Sequence, residues 1–156
     1  MKSKLLFLFV FIFLLPSNFW GQTKSLFFAG TEIKLFENYR SIIALIDTNE
    51  YRIKDYGGTV FVSSDDGKEL GSFSYRKSGL IAQVAKDWGK YYDYSKAFEI
   101  IFHLIKNLPK GNNYISADEV TEPGYNQKTM RFFSGNLSIN VVIYSNYIQI
   151  YENISD

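Results

Sequence analysis

The chain has 156 residues, 46% hydrophobic and 18% aromatic, with 17 basic and 16 acidic side chains and a net charge of +1. Near-neutrality without a block of like charge argues against a nucleic-acid binder, which neutralises phosphates with clustered Lys and Arg, and equally against an anionic membrane surface as partner. There is no cysteine, which excludes disulfides, a thiol nucleophile and lipid attachment through an N-terminal cysteine.

Lys2 and Lys4 open the chain, Leu5 to Leu15 are unbroken apolar residues, and Pro16-Ser17-Asn18 break the run. Basic end, apolar stretch and polar stretch in that order predict a secretory signal peptide over residues 1–21, cut after Gly21. Phe19 is bulkier than the small residue such cut sites usually carry. The eleven apolar residues would rise about 16 Å as a helix, roughly half of a bilayer core. A cleaved leader is therefore expected rather than an anchor, and no stable membrane span remains after cleavage. Removal leaves 135 residues, 15 basic and 16 acidic, expected to form a single domain over 22–156. A chain of that length buries about two-thirds of its unfolded surface and needs no metal or disulfide to fold.

Strands dominate the first half. Thr31 to Glu37 alternates, with Ile33 and Leu35 on one side. Ser41 to Asp47 is a continuous apolar run, suited to a buried strand or to a helical turn. Tyr51 to Tyr56, Thr59 to Ser63 and Leu70 to Arg76 read as further strands, separated by Gly57-Gly58 and by Asp65-Asp66-Gly67-Lys68. The second of these is a hairpin signal, because Gly supplies the positive φ of the turn. Leu80, Ile81, Val84, Ala85 and Trp88 fall at helical spacing, which predicts a short helix ending near Gly89, although the same segment also fits an alternating strand.

Ser95 to Leu108 reads as the main helix. Phe98, Ile101, Phe102, Ile105 and Leu108 make an apolar stripe reinforced by Ala97 and Leu104. Asp93 or Ser95 can cap its start, and Pro109 and Gly111 stop it. Strands at Tyr114 to Thr121, Gln127 to Phe133, Leu137 to Tyr144 and Tyr147 to Glu152 complete a four-stranded antiparallel meander. The expected class is α+β, an antiparallel sheet packed against one main helix near 95–108. A helix followed by a meander is similar in element order to cystatin-like and NTF2-like folds. The preceding strands depart from that layout, and shared element order transfers no activity.

The residues that could carry chemistry are few. His103 is the single histidine, with Glu99 one turn before it, and such a pair is most often a solvated helix contact. No Gly-x-Ser-x-Gly turn, histidine pair at ligand spacing, calcium loop or phosphate-cradling loop is found, so no cofactor and no metal are expected. Asp118, Glu119 and Glu122 cluster near one strand end and Asp65 and Asp66 near another. Paired acids serve glycosidases, but short acidic clusters usually keep turns soluble and edges unpaired. Trp88-Gly89-Lys90-Tyr91-Tyr92-Asp93-Tyr94 packs four large rings into seven residues, too many for all to point inward. Trp88, Tyr91, Tyr92 and Tyr94, with Tyr125 of the Pro123-Gly124-Tyr125 loop, are the expected contact patch, since such rings combine stacking area with a polar tip. The expectation is a secreted or periplasmic binding module without catalysis, with a protein or glycan partner. The alternative is a small extracytoplasmic hydrolase using paired carboxylates. Oligomeric state is left open by the sequence.

Overall fold

A computed structural model describes residues 23–109, 113–122 and 125–156, so the leader expected at 1–21 lies outside the described residues. Among these described residues, ten strands and two helices follow in the order β1 (Ser25–Phe28), β2 (Thr31–Lys34), α1 (Tyr39–Leu45), β3 (Tyr51–Asp55), β4 (Thr59–Ser64), β5 (Glu69–Tyr75), β6 (Ile81–Tyr91), α2 (Tyr94–Lys106), β7 (Asn113–Glu122), β8 (Tyr125–Ser134), β9 (Leu137–Ile143) and β10 (Ile148–Ser155). Strands β3 to β10 form one antiparallel sheet in the order β3-β4-β5-β6-β10-β9-β8-β7, and β1 and β2 form a separate hairpin. The class is α+β and strand-rich, as the alternation and the one strong helical stripe require.

Register places both cores on one face of the large sheet. Ile154 of β10 lies between Val84 of β6 and Leu137 of β9, and Ile150 lies opposite Val141. Over β4, β5 and β6 this face is covered by the β1–β2 hairpin and α1, through Leu26, Phe28, Ile33 and Ile42 against Val60, Val62, Phe73 and Val84. Over β9 and β10 it is covered by α2, through Ala97, Ile101 and Leu104 against Ile139, Val141, Ile148 and Ile150. Leu108 packs against both groups. The opposite, open face is not the one these elements pack on; Thr129, Val142 and Gln149 lie on it, each 7% exposed.

Gly71 lets the hairpin come this close. A Cβ built there would collide with the Ala85 carbonyl oxygen and lie 2.8 Å from Cζ of Phe28. Any side chain on β5 at that point therefore displaces either the neighbouring strand or the ring that seals it.

At four points the structure decides between, adds to or corrects the sequence expectations. The Ser41 to Asp47 run is the helix α1, begun by Asn38, whose Oδ1 accepts from the Arg40 amide at 3.0 Å. Strand β1 was not anticipated, because its four residues are too few to show a period. The segment expected as a short helix at 80–89 is the long strand β6. Its pairings leave Ala82 unopposed between Ile81 and Gln83, and Trp88 unopposed between Asp87 and Gly89. Each is a bulge, one extra residue on one strand. The first brings Ile81 and Val84 to the same interior, both 0% exposed, and so imitates helical spacing inside a strand. Finally, α2 is capped by Asp93, whose Oδ1 accepts from the Ser95 and Lys96 amides at 2.9 and 3.4 Å, but its buried stripe is Ala97, Ile101 and Leu104. Phe98 and Phe102 stand 61% and 70% exposed beside it.

Candidate functional site

The open face of the sheet carries a polar cavity of about 490 Å³, lined by Gly67, Lys68, Glu69, Asp87, Gly89, Lys90 and Gln149. Three sequence-distant segments build it. The Asp65-Asp66-Gly67-Lys68 hairpin turn is closed by the Ser64 amide donating to the Lys68 carbonyl at 2.9 Å, with Gly67 at φ +83°, and it delivers Lys68 and Glu69. The Trp88 bulge of β6 turns Asp87 and Lys90 to the open face on either side of Gly89, whose φ is +104°. Gln149 comes from β10, directly opposite Lys90.

Asp87 is held from two sides. Its Oδ1 accepts from the Gly89 amide at 2.7 Å, and its Oδ2 accepts from Nε2 of Gln149 at 3.0 Å. Gln149 itself is only 7% exposed, so its amide is a fixed donor and not a swinging one. Glu69 is exposed as a residue, yet desolvation at the cavity wall, followed by the charge of Asp87, raises its carboxyl above the ordinary value; Lys90 opposes the shift. Burial, then Asp87 and Glu69, raises the Tyr151 phenol well above its usual range. The site thus places two carboxylates, a fixed amide and two ammonium groups around one hollow. It can accept and donate hydrogen bonds to a polar ligand on several sides.

An aromatic rim continues from the cavity through Lys90. The Lys90 ammonium lies 5.2 Å from the centre of the Tyr147 ring, within cation–π reach. Tyr147 stacks on Tyr144 at 4.4 Å and meets Tyr92 at 5.8 Å. Tyr144 and Tyr147 flank the two-residue Ser145-Asn146 turn, closed by the Tyr144 amide donating to the Tyr147 carbonyl at 2.9 Å. A second, more apolar hollow of about 510 Å³ adjoins the first through Gly67 and Glu69, with Tyr56 edge-on to Phe61 at 5.7 Å.

The four rings expected as a patch divide two and two. Trp88 and Tyr91 pack against the α2 core. The Trp88 indole donates to Oε2 of Glu152 at 3.1 Å with the Lys86 ammonium 4.1 Å from its ring, and the Tyr91 hydroxyl donates to the Trp88 carbonyl at 2.7 Å. Tyr92 is 69% exposed and joins the rim. Tyr94 opens α2 and its hydroxyl reaches the Ser145 carbonyl at 3.4 Å, so it sits at the same turn. The side chains of Tyr125 and Glu122 lie outside the described residues.

Of the acids singled out by clustering, Asp65, Asp66, Asp118 and Glu119 do not meet at a cavity. Asp118 pairs with Arg131, Glu119 with Lys128 at 3.3 Å, and Asp65 with Arg52 at 3.5 Å, while Asp66 accepts from the Ser64 hydroxyl and the Lys68 amide in its own turn. His103 contacts Asn107 at 3.1 Å on exposed α2, on the other side of the sheet from the cavity. Among the described residues no three or more His, Cys, Asp or Glu side chains converge as a metal site. The cavity's own acids, Glu69 and Asp87, were missed because they are eighteen residues apart in sequence and no local pattern joins them; the hairpin signal before Glu69 was the nearest hint. No family model, curated protein or solved structure matches the chain.

Proposed function

We propose that the protein is an extracytoplasmic binding module, without catalysis, that takes part of a neutral glycan into the cavity of Lys68, Glu69, Asp87, Lys90 and Gln149. The observation that carries this reading is the continuity, through Lys90, of a polar cavity with the ring surface of Tyr92, Tyr144 and Tyr147. Sugars present hydroxyls at their edges and C–H groups on their faces. Fixed carboxylate and amide partners suit the first, and flat tyrosine rings suit the second. The basic and apolar leader of residues 2–15 supports export, and no described helix is long and apolar enough to cross a membrane.

The test is calorimetric titration with cello-, xylo- and chito-oligosaccharides. Asp87→Ala and Tyr147→Ala should each lower the affinity about tenfold or more. Tyr94→Ala, at the edge of the rim, should lower it less. Failure of all three sugar series to bind, or binding indifferent to both Asp87→Ala and Tyr147→Ala, would remove the glycan reading.

The raised Glu69 carboxyl favours a second reading, in which Glu69 supplies a proton and Asp87 assists water in the hydrolysis of an extracytoplasmic polymer. Release of reducing ends by the wild type and its loss in Glu69→Gln would replace binding by hydrolysis.

A further inference from the structure

Among the described residues the sheet ends at β7, a ten-residue strand bonded to β8 on one side only. Every second residue of an edge strand directs its N–H and C=O away from the sheet, and such a row is a template for another strand unless it is blocked. The opposite edge is blocked: β3 has five residues, among them Arg52, Lys54 and Asp55. Strand β7 carries neither Pro nor Lys. Of its three acids, Asp118 and Glu119 are neutralised within the hairpin by Arg131 and Lys128. Tyr114 and Ile115 are 59% and 65% exposed, and Tyr114 is held at the edge by stacking on Phe133 at 4.3 Å.

We propose that β7 pairs antiparallel with β7 of a second copy about a two-fold axis, joining the two sheets edge to edge. The strand's own pattern favours a second copy over a foreign strand. Ile115 and Ala117 lie opposite Phe132 and Met130 and share the helix-covered side, whereas Tyr114, Ser116 and Asp118 share the open face. A two-fold axis normal to the sheet keeps those sides together. Centred on Ser116, it sets Ile115 against the partner's Ala117 and Tyr114 against the partner's Asp118. Each phenol then faces a carboxylate, twice by symmetry, and no like charges meet. An isologous interface requires this self-complementarity, and cross-strand pairs of this kind set sheet pairing.

Sedimentation equilibrium over about 1 to 100 µM chain should show a dimer with a micromolar dissociation constant, with slowed amide exchange along β7. Tyr114→Asp sets carboxylate against carboxylate at both contacts and should weaken the dimer about tenfold. Tyr114→Lys loses the same ring but faces Asp118, so its dimer should remain at least as tight as that of the wild type. Melting curves establish that both variants fold. A monomer throughout the range overturns the proposal, as does a dimer untouched by Tyr114→Asp or weakened equally by both variants. Exchange protection of β7 that appears only with an added foreign peptide also overturns it.

Discussion

Replacing Gly71 by Ala tests how the hairpin is sealed onto the sheet. The added methyl would meet two obstacles, the Ala85 carbonyl oxygen and the Phe28 ring, whose Cζ lies 2.8 Å from the new carbon. The ring is 5% exposed and has little room to turn. The carbonyl belongs to β6, which is paired to β5 next door, Ser72 opposite Ala85, so it cannot retreat without opening the ladder. Overpacking of this kind costs about 1–3 kcal/mol, and a backbone obstacle puts Gly71→Ala near ~3 kcal/mol. For a chain of this size that lowers the melting temperature by roughly 10 °C. Gly67→Ala provides the contrast. It has nothing within 4 Å, but its φ is +83°, so its cost is the left-handed backbone alone, about 1 kcal/mol. Urea and thermal unfolding of the two variants, with Phe28→Leu/Gly71→Ala as a third, separate the causes. Shortening the ring should recover part of the loss, and the carbonyl should keep the rest. A Gly71→Ala protein melting within about 2 °C of the wild type would refute the argument, since the contact would then relax without cost.

Two further outcomes follow from the cavity and from α2. The Glu69 carboxyl is raised from its usual 4.5, so just above that pH the folded chain retains a proton that the unfolded chain has released. Stability therefore falls as pH rises from the ordinary value through the raised one. Glu69→Gln should abolish that fall and be the more stable form at neutral pH; urea midpoints across the acid range read this, and superimposable profiles would count against it. Ile101→Ala should cost about 2–5 kcal/mol as a buried truncation, whereas Phe98→Ala, at 61% exposure, should cost under about 1 kcal/mol. Equal losses would mean that Phe98 is part of the core after all.

What could be read in advance was what short-range chemistry controls. The meander β7 to β10 was legible because Leu137, Ile139 and Val141 alternate against Ser138 and Asn140, and because Gly135 and Asn146 mark its turns. The start of α2 was legible to within two residues because Asp93 and Ser95 both fit a cap ahead of an apolar period, and the fold uses Asp93. Strand β6 was not. Two bulges insert an extra residue each, and the interior spacing of Ile81 and Val84 becomes three instead of two. Local periodicity cannot distinguish that from a helix, because the choice is made by β5 and β10 pairing on either side. The α2 stripe was displaced for a similar reason. Phe98 and Ile101 are equally apolar, and the sheet beneath decides which of them is covered.

The candidate site divides along the same line. The crowded rings between Trp88 and Tyr94 were visible as a surplus of aromatic area, and two of them, Tyr92 and Tyr94, do stand at the rim. Their companions Tyr144 and Tyr147, and the cavity made by Glu69, Asp87 and Gln149, come from strands brought together by sheet order alone. Hydrophobic period, turn residues and caps act over a few residues, and they are enough to specify the α+β class, the main helix and the meander. Carboxylates in separate strands acquire a shared environment only when backbone pairing closes the distance, so the tertiary structure alone decided which acids meet, which face stays open and where the sheet ends.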